Sequence, residues 1–179
     1  LLKDASYANQ TINIPQTAYK LGDWNLTAGT AEDLNVNTLS VDFTAVSGST
    51  FTSADLTNVY VKVGNNMSTV YPTVSATSNT FTVPTTAVVK GTSVPVELYA
   101  NILSGGITST DSIKSTLTVS GNSAISGTSV STSAVDGQTI AYGSGSFAIS
   151  LDGSSPVNRA VSGNQEVTGG IYKFQATND

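Results

Sequence analysis

The sequence predicts an all-β protein, two packed antiparallel sheets joined by Greek-key connections, and three observations carry that expectation. Polarity is supplied by Ser, Thr, Asn and Gly: hydrophobic residues make up 39% of the 179 and charged residues only 11%, against about 25% charged in ordinary soluble domains. Thr and Val favour strands, whereas Ser, Asn and Gly favour turns and weaken helices. Short runs alternate between apolar and polar residues, and no stretch places apolar residues at helical spacing. Turn signals separate the runs at regular intervals, as in a β-sandwich. A closed barrel is the alternative, because it also removes sheet edges.

Taken in order, residues 11–14 are short and apolar and stop at Pro15. Residues 20–28 alternate through Trp24, Leu26 and Ala28 and turn at Gly29. Residues 34–43 change phase midway: Leu34 and Val36 share one parity, and Leu39, Val41 and Phe43 the other. A bulge near Asn37-Thr38 reconciles the two halves by setting one extra residue opposite the partner strand. Residues 56–63 put Val59, Val61 and Val63 on one face and Tyr60 and Lys62 on the other, before a hairpin turn at Gly64-Asn65-Asn66. The returning run, 68–74, contains Pro72, which has no N–H for a ladder and so predicts an edge or a bulge. Residues 80–83 end at Pro84.

Val94, Val96, Leu98, Ala100 and Ile102 form the clearest alternation and are expected to line the core. Pro95 predicts that this strand begins at a sheet edge. Residues 113–119 alternate through Leu117. Between 120 and 146, Ile125, Val130, Val135 and Ile140 stand isolated among small residues and predict thin surface strands rather than a linker. Phe147, Ile149 and Leu151 alternate up to the Asp152-Gly153 turn, and Ser154-Ser155-Pro156 reads as a boundary. Gly169-Gly170 introduces a last strand, 171–176.

The end of the chain resembles its beginning. Asn164-Gln165-Glu166-Val167 resembles Asn9-Gln10-Thr11-Ile12, and Tyr172-Lys173-Phe174-Gln175-Ala176 with Asn178-Asp179 resembles Trp24-Asn25-Leu26-Thr27-Ala28 with Glu32-Asp33. Solenoids repeat every 20 to 50 residues or so, and this far longer period makes each repeat a whole domain. The expected division is therefore a first strand or extension over 1–19, a sandwich over 20–155, and a segment over 156–179 that opens a following repeat.

These runs, above all Trp24 to Val36, Leu56 to Val61 and Val94 to Ile102, resemble the immunoglobulin-like β-sandwich repeats of bacterial S-layer and cell-surface proteins. The resemblance implies an immunoglobulin-like sandwich, an extracellular location and a structural or adhesive role, often in tandem. It transfers no catalytic residue.

Composition excludes much chemistry. The chain has neither His nor Cys, so Ser-His and Cys-His triads, disulfides and thiolate metal sites are absent. No enzyme is expected. Glu32-Asp33 is an adjacent acidic pair, but neighbours on a strand point to opposite faces. Lys90 and Lys114 have many Ser nearby only because Ser is everywhere. Gly143-Ser144-Gly145 lacks the Lys and helix of a phosphate loop and reads as a turn. The net charge is −5, and Lys3, Lys20, Lys62, Lys90, Lys114, Arg159 and Lys173 are scattered, which argues against nucleic acid and anionic membranes. No apolar run has the roughly 18 residues of a membrane span. No cofactor is expected beyond calcium, for which the loop acids Glu32, Asp33, Asp55 and Asp111 are the candidate ligands. Lys62 faces outward and is a poor candidate for an isopeptide bond. Asn9, Asn25 and Asn66 stand in glycosylation sequons.

Two functional readings follow. One is a module that joins identical subunits or neighbouring repeats head to tail by β-strand addition, through Ile12 and Ile14 at one end or Val167, Ile171, Tyr172 and Phe174 at the other. The other is an adhesin module that holds a glycan or host protein through loops bearing Tyr7, Tyr19, Tyr71 and Tyr142.

Overall fold

The computed structural model describes residues 1–143, 146–158, 160–164 and 166–177; Ser144-Gly145, Arg159, Gln165 and Asn178-Asp179 lie outside the described residues. The strands are β1 (Leu2–Lys3), β2 (Gln10–Ile12), β3 (Gln16–Thr27), β4 (Leu34–Ala45), β5 (Leu56–Val63), β6 (Asn66–Met67), β7 (Tyr71–Thr73), β8 (Asn79–Val88), β9 (Ser93–Ile102), β10 (Ser112–Ser123), β11 (Ser129–Ser131), β12 (Val135–Tyr142), β13 (Ser146–Leu151) and β14 (Tyr172–Thr177). The chain is all-β and forms two compact units, Leu1–Tyr142 and Gly143–Asp179. The boundary falls before β13, so this strand belongs to the second unit and not to a sandwich over 20–155. β2 and the start of β3 are integral to the first unit, not an extension before it.

The first unit is a sandwich. One sheet runs β1-β3-β9-β5-β6, with β7 also on β5; the other runs β2-β12-β10-β4-β8, with β11 on β10. Pairing is antiparallel except for β2, which lies parallel to β12. Alternation in β5, β9 and β10 buries Val59, Val61, Val63, Val96, Leu98, Ala100, Ile102, Leu117 and Val119 between the sheets. The register of β4 slips between Val36 and Thr38 against β8 and again against β10. This bulge lets Val36 and Leu39, on opposite parities, both point inward, where each is fully buried.

β7 carries Pro72 on the outer side of β5, as a residue without an N–H requires. Pro95 is different. β9 is an interior strand between β3 and β5, which corrects the expectation of an edge. The Pro95 carbonyl accepts from Gly64 N–H at 2.9 Å, so its missing N–H faces the β5 side. There β5 has already ended, at the Val63–Val96 pair.

Trp24 is the centre of the core. It is fully buried, and its indole N–H donates to the Val135 carbonyl at 3.2 Å. The ring packs against two backbones that have no side chain: a Cβ at Gly22 would stand 2.3 Å from it, and one at Gly137 2.6 Å. Gly22→Ala and Gly137→Ala are each expected to cost about 1–3 kcal/mol by overpacking. Thermal melts followed by Trp24 fluorescence would check this, and an unchanged midpoint would contradict the packing.

Candidate functional site

The second unit is a two-stranded ribbon in which Ile149 pairs with Phe174 and Leu151 with Tyr172. Paired residues share a face. One face is therefore Phe147, Ile149, Leu151, Tyr172, Phe174 and Ala176, and the other is polar, with Ser150, Lys173 and Gln175. The apolar side chains are open to solvent: Phe147 is 65% exposed and Phe174 64%. Their rings stack at 5.8 Å.

This ribbon repeats the start of the first unit at a constant spacing of 148 residues. β1 pairs with β3 through Leu2–Asn25 and Lys3–Trp24; β13 pairs with β14 through Ser150–Lys173 and Leu151–Tyr172, each residue 148 positions later. Asp4 N–H donates to the Asp23 carbonyl at 2.9 Å, and Asp152 N–H to the Ile171 carbonyl at 2.9 Å. The turn that follows is also the same. Ser6 donates its N–H and hydroxyl to Asp4 Oδ1 at 2.7 Å each, and Ser154 does so to Asp152 Oδ1 at 2.8 and 2.6 Å. The one large difference is cover: Trp24 and Leu26 are 0% and 1% exposed, whereas their counterparts Tyr172 and Phe174 are 59% and 64% exposed.

In the first unit the segment before β3 is locked from inside. Gln138 is fully buried. Its Oε1 accepts from Asp23 N–H at 2.9 Å, and its Nε2 donates to the carbonyls of Tyr7 at 2.8 Å and Asp4 at 3.2 Å. Asn25 Nδ2 adds a bond to Asp4 Oδ2 at 3.0 Å. Lys20 pairs with Asp23 at 2.6 Å and Glu97 at 3.1 Å and lies over the Tyr7 ring at 4.6 Å.

Of the expected interface residues, Tyr172 and Phe174 are on the open face, and Ile171 and Val167 are 40% and 45% exposed. Ile12 and Ile14 are not available: Ile12 is buried in β2 and Ile14 packs against the core. The match of Asn164–Val167 to Asn9–Ile12 has no structural counterpart, because Gln10–Ile12 is a strand and no strand occurs among the described residues from 156 to 170. The constant spacing of 148 is also legible in Asp4-Ala5-Ser6 against Asp152-Gly153-Ser154, and it adds the exposed Phe147, Ile149 and Leu151 to the candidate residues.

The four loop acids each tie a different loop. Glu32 accepts from the N–H groups of Ile125 and Ser126 at 2.9 Å. Asp33 accepts from Lys90 N–H at 2.8 Å, and Asp55 from Thr52 N–H at 2.8 Å. Asp111 accepts from Thr50 and from Thr108 N–H and hydroxyl. Among the described residues no three acids gather to hold a metal ion.

The sequons differ. Asn25 and Asn66 spend their amide nitrogens on Asp4 and Thr86, whereas Asn9 is exposed and its Oδ1 accepts from Thr139 N–H. The four tyrosines are half-buried and do not form one loop surface. Tyr7 donates its hydroxyl to the Lys20 carbonyl at 2.6 Å, Tyr71 packs edge-on to Phe81 at 4.8 Å, and Tyr19 and Tyr142 pack on the core. Lys114 is paired with Asp136 at 2.6 Å. Lys62 lies over Tyr99 at 4.8 Å on the outer face. No helix among the described residues is long and apolar enough to cross a membrane.

No family model matches this chain, and no curated protein matches it. Among solved structures it is similar to the CssB subunit of the enterotoxigenic Escherichia coli colonization factor CS6, complemented with a donor strand from CssA. That match has 12% identity and a TM-score of 0.39, and covers 75% of this chain and 93% of that one.

Several carboxylates are held below their usual range by donors to the ionised form: Asp111 chiefly by the Thr50 hydroxyl, Glu32 by the Ser126 N–H, Asp136 by Lys114, and Asp4 and Asp152 by the hydroxyls of Ser6 and Ser154. A folded-state pKa below the unfolded one stabilises fully above the unfolded value, and the contribution is lost as pH falls through the folded value. The melting midpoint is therefore expected to be flat above about pH 5 and to fall below about pH 4. Asp111→Asn should lower the plateau and flatten the acid limb, which melts across pH would check.

Gln138→Ala leaves the Asp23 N–H buried without its acceptor. A loss of about 1–3 kcal/mol is expected, with faster amide exchange over residues 4–7 than elsewhere in the sandwich.

Proposed function

We propose that this chain is a structural module of an extracellular surface layer or filament, joined head to tail to like modules through a shared strand. The observation that carries this is the 148-residue recurrence of one strand pair, one main-chain bond and one Asp-Ser turn. In this reading β13 leaves one module and becomes for the next what β1 is for the first. β14 is the counterpart of β3, with Tyr172 and Phe174 in the places of Trp24 and Leu26. An isolated two-stranded ribbon is marginal in water, and three or more strands with a buried face are needed for stability. The open face of the ribbon is thus one wall of a core whose other walls are strands equivalent to β9, β10 and β12. Low charge, the lack of Cys and the scattered cations suit a surface module built on main-chain pairing. Load along such an array passes through ladder hydrogen bonds.

The test is to append a second copy of residues 32–142 after Asp179, in the background of Tyr172→Trp, and to measure acrylamide quenching. Trp24 is fully buried, so quenching reports the indole introduced at position 172. Strong quenching in the 179-residue chain and its fall to the level of Trp24 in the extended chain are expected. An introduced indole that stays equally quenchable when the appended copy is folded would overturn the proposal.

A further inference from the structure

The two units close the same turn with different residues. In the first, the carboxamide of Gln138 reaches over from β12: its Nε2 donates to the Asp4 carbonyl at 3.2 Å and its Oε1 accepts from Asp23 N–H at 2.9 Å. In the second, Ser155 serves the two equivalent main-chain groups. Its N–H donates to the Asp152 carbonyl at 2.9 Å, and its hydroxyl oxygen accepts from Ile171 N–H at 3.1 Å. The counterpart of Ser155 in the first unit is Tyr7, whose side chain has no oxygen on Cβ and places its hydroxyl on the Lys20 carbonyl at 2.6 Å instead. A Tyr at this place leaves Asp23 N–H to an acceptor from the opposite sheet, whereas a Ser closes the turn within the ribbon. The neighbouring aromatic residue is seated in the same way in both units. Tyr172 packs on Gly170, where a Cβ would stand 3.3 Å from its ring, as Trp24 packs on Gly22.

We infer, on the basis of the module reading above, that Ser155 is a built-in substitute for Gln138: it holds the ribbon in docking geometry before a following module covers it, and that module needs no carboxamide at the junction. An open two-stranded ribbon is marginal in water. A surface that must be ordered on contact binds more weakly than one already in its bound shape. The bonds of Ser155 tie the turn to the main chain beside the terminal pair Leu151–Tyr172, and so fix the face on which Ile149, Tyr172 and Phe174 lie. Ser155 is therefore a positioning residue, and assembly runs ribbon first, cover second.

The test is amide exchange in the 179-residue chain and in the chain extended by residues 32–142, which sets the appended Gln138 at the same 148 spacing from the first. In the 179-residue chain, Ser155→Ala is expected to speed exchange at Ile171 about five-fold or more. Ser155→Thr keeps the acceptor and should restore it. In the extended chain, Gln138→Leu in the appended copy is expected to leave exchange at Asp152 and Ile171 within about two-fold, whereas the same substitution in the first unit should speed exchange at Asp23 about ten-fold or more. Combined with Ser155→Ala, the appended Gln138→Leu should become as damaging as it is in the first unit. An Ile171 amide indifferent to Ser155→Ala, or an appended Gln138→Leu that is damaging with Ser155 in place, would overturn the inference. A protected indole at position 172 of the extended Tyr172→Trp chain would then leave the module reading standing. A Ser155-dependent Ile171 amide with that indole still exposed would overturn the module reading and with it the docking role, leaving Ser155 as the lock of a free ribbon.

Discussion

The structure depends on the need to cover one sheet edge. β3 is long and central to the core, yet β9 pairs with only one of its sides. An unpaired edge presents a row of free N–H and carbonyl groups and invites association. Here the edge is capped by the chain that comes shortly before it, through an Asp-Ser turn that reverses the strand and a buried Gln138 that holds the turn to β3. Trp24 sits at this junction. Its ring needs both the bare backbone of Gly22 in β3 and that of Gly137 in β12, so the cap, the core and the opposite sheet are fixed together.

The same cap recurs in the second unit without a core beneath it. Identical register and hydrogen bonds show that local sequence is enough to set the strand pair and its turn. They are not enough to bury it. Tyr172 and Phe174 occupy the places of two fully covered residues but remain exposed. In the proposed reading the apolar face is a property of position within a module rather than an excess of surface hydrophobicity.

Much of the sandwich was legible because alternation is a physical consequence of a sheet with one buried face. The parity change at Asn37 gave away the bulge, and Gly64-Asn65 the hairpin. Pro95 misled, since the rule that proline avoids interior strands concerns its missing N–H, and here that side faces a strand that has already ended. The loop acids looked like calcium ligands because sequence shows that an acid lies in a loop but not which N–H groups the loop aims at it. Each one closes a local turn or ties two loops. The candidate interface residues divide for a related reason: alternation tells which residues face a core but not whose core it is. Ile12 faces its own module's interior, whereas Phe174 has the same character and no cover. Gln138 carried no signal at all, since a buried carboxamide is defined by carbonyls more than a hundred residues away.

The most direct measurement is amide hydrogen exchange at the two equivalent bonds, Asp4 to Asp23 and Asp152 to Ile171, in the 179-residue chain and in the chain extended by residues 32–142. Strong protection at Asp4 in both, with weak protection at Asp152 that rises to match it on extension, is the result expected if the ribbon is the first layer of another module. Equal protection at both sites in the unextended chain, or an Asp152 amide indifferent to the folded extension, would contradict it.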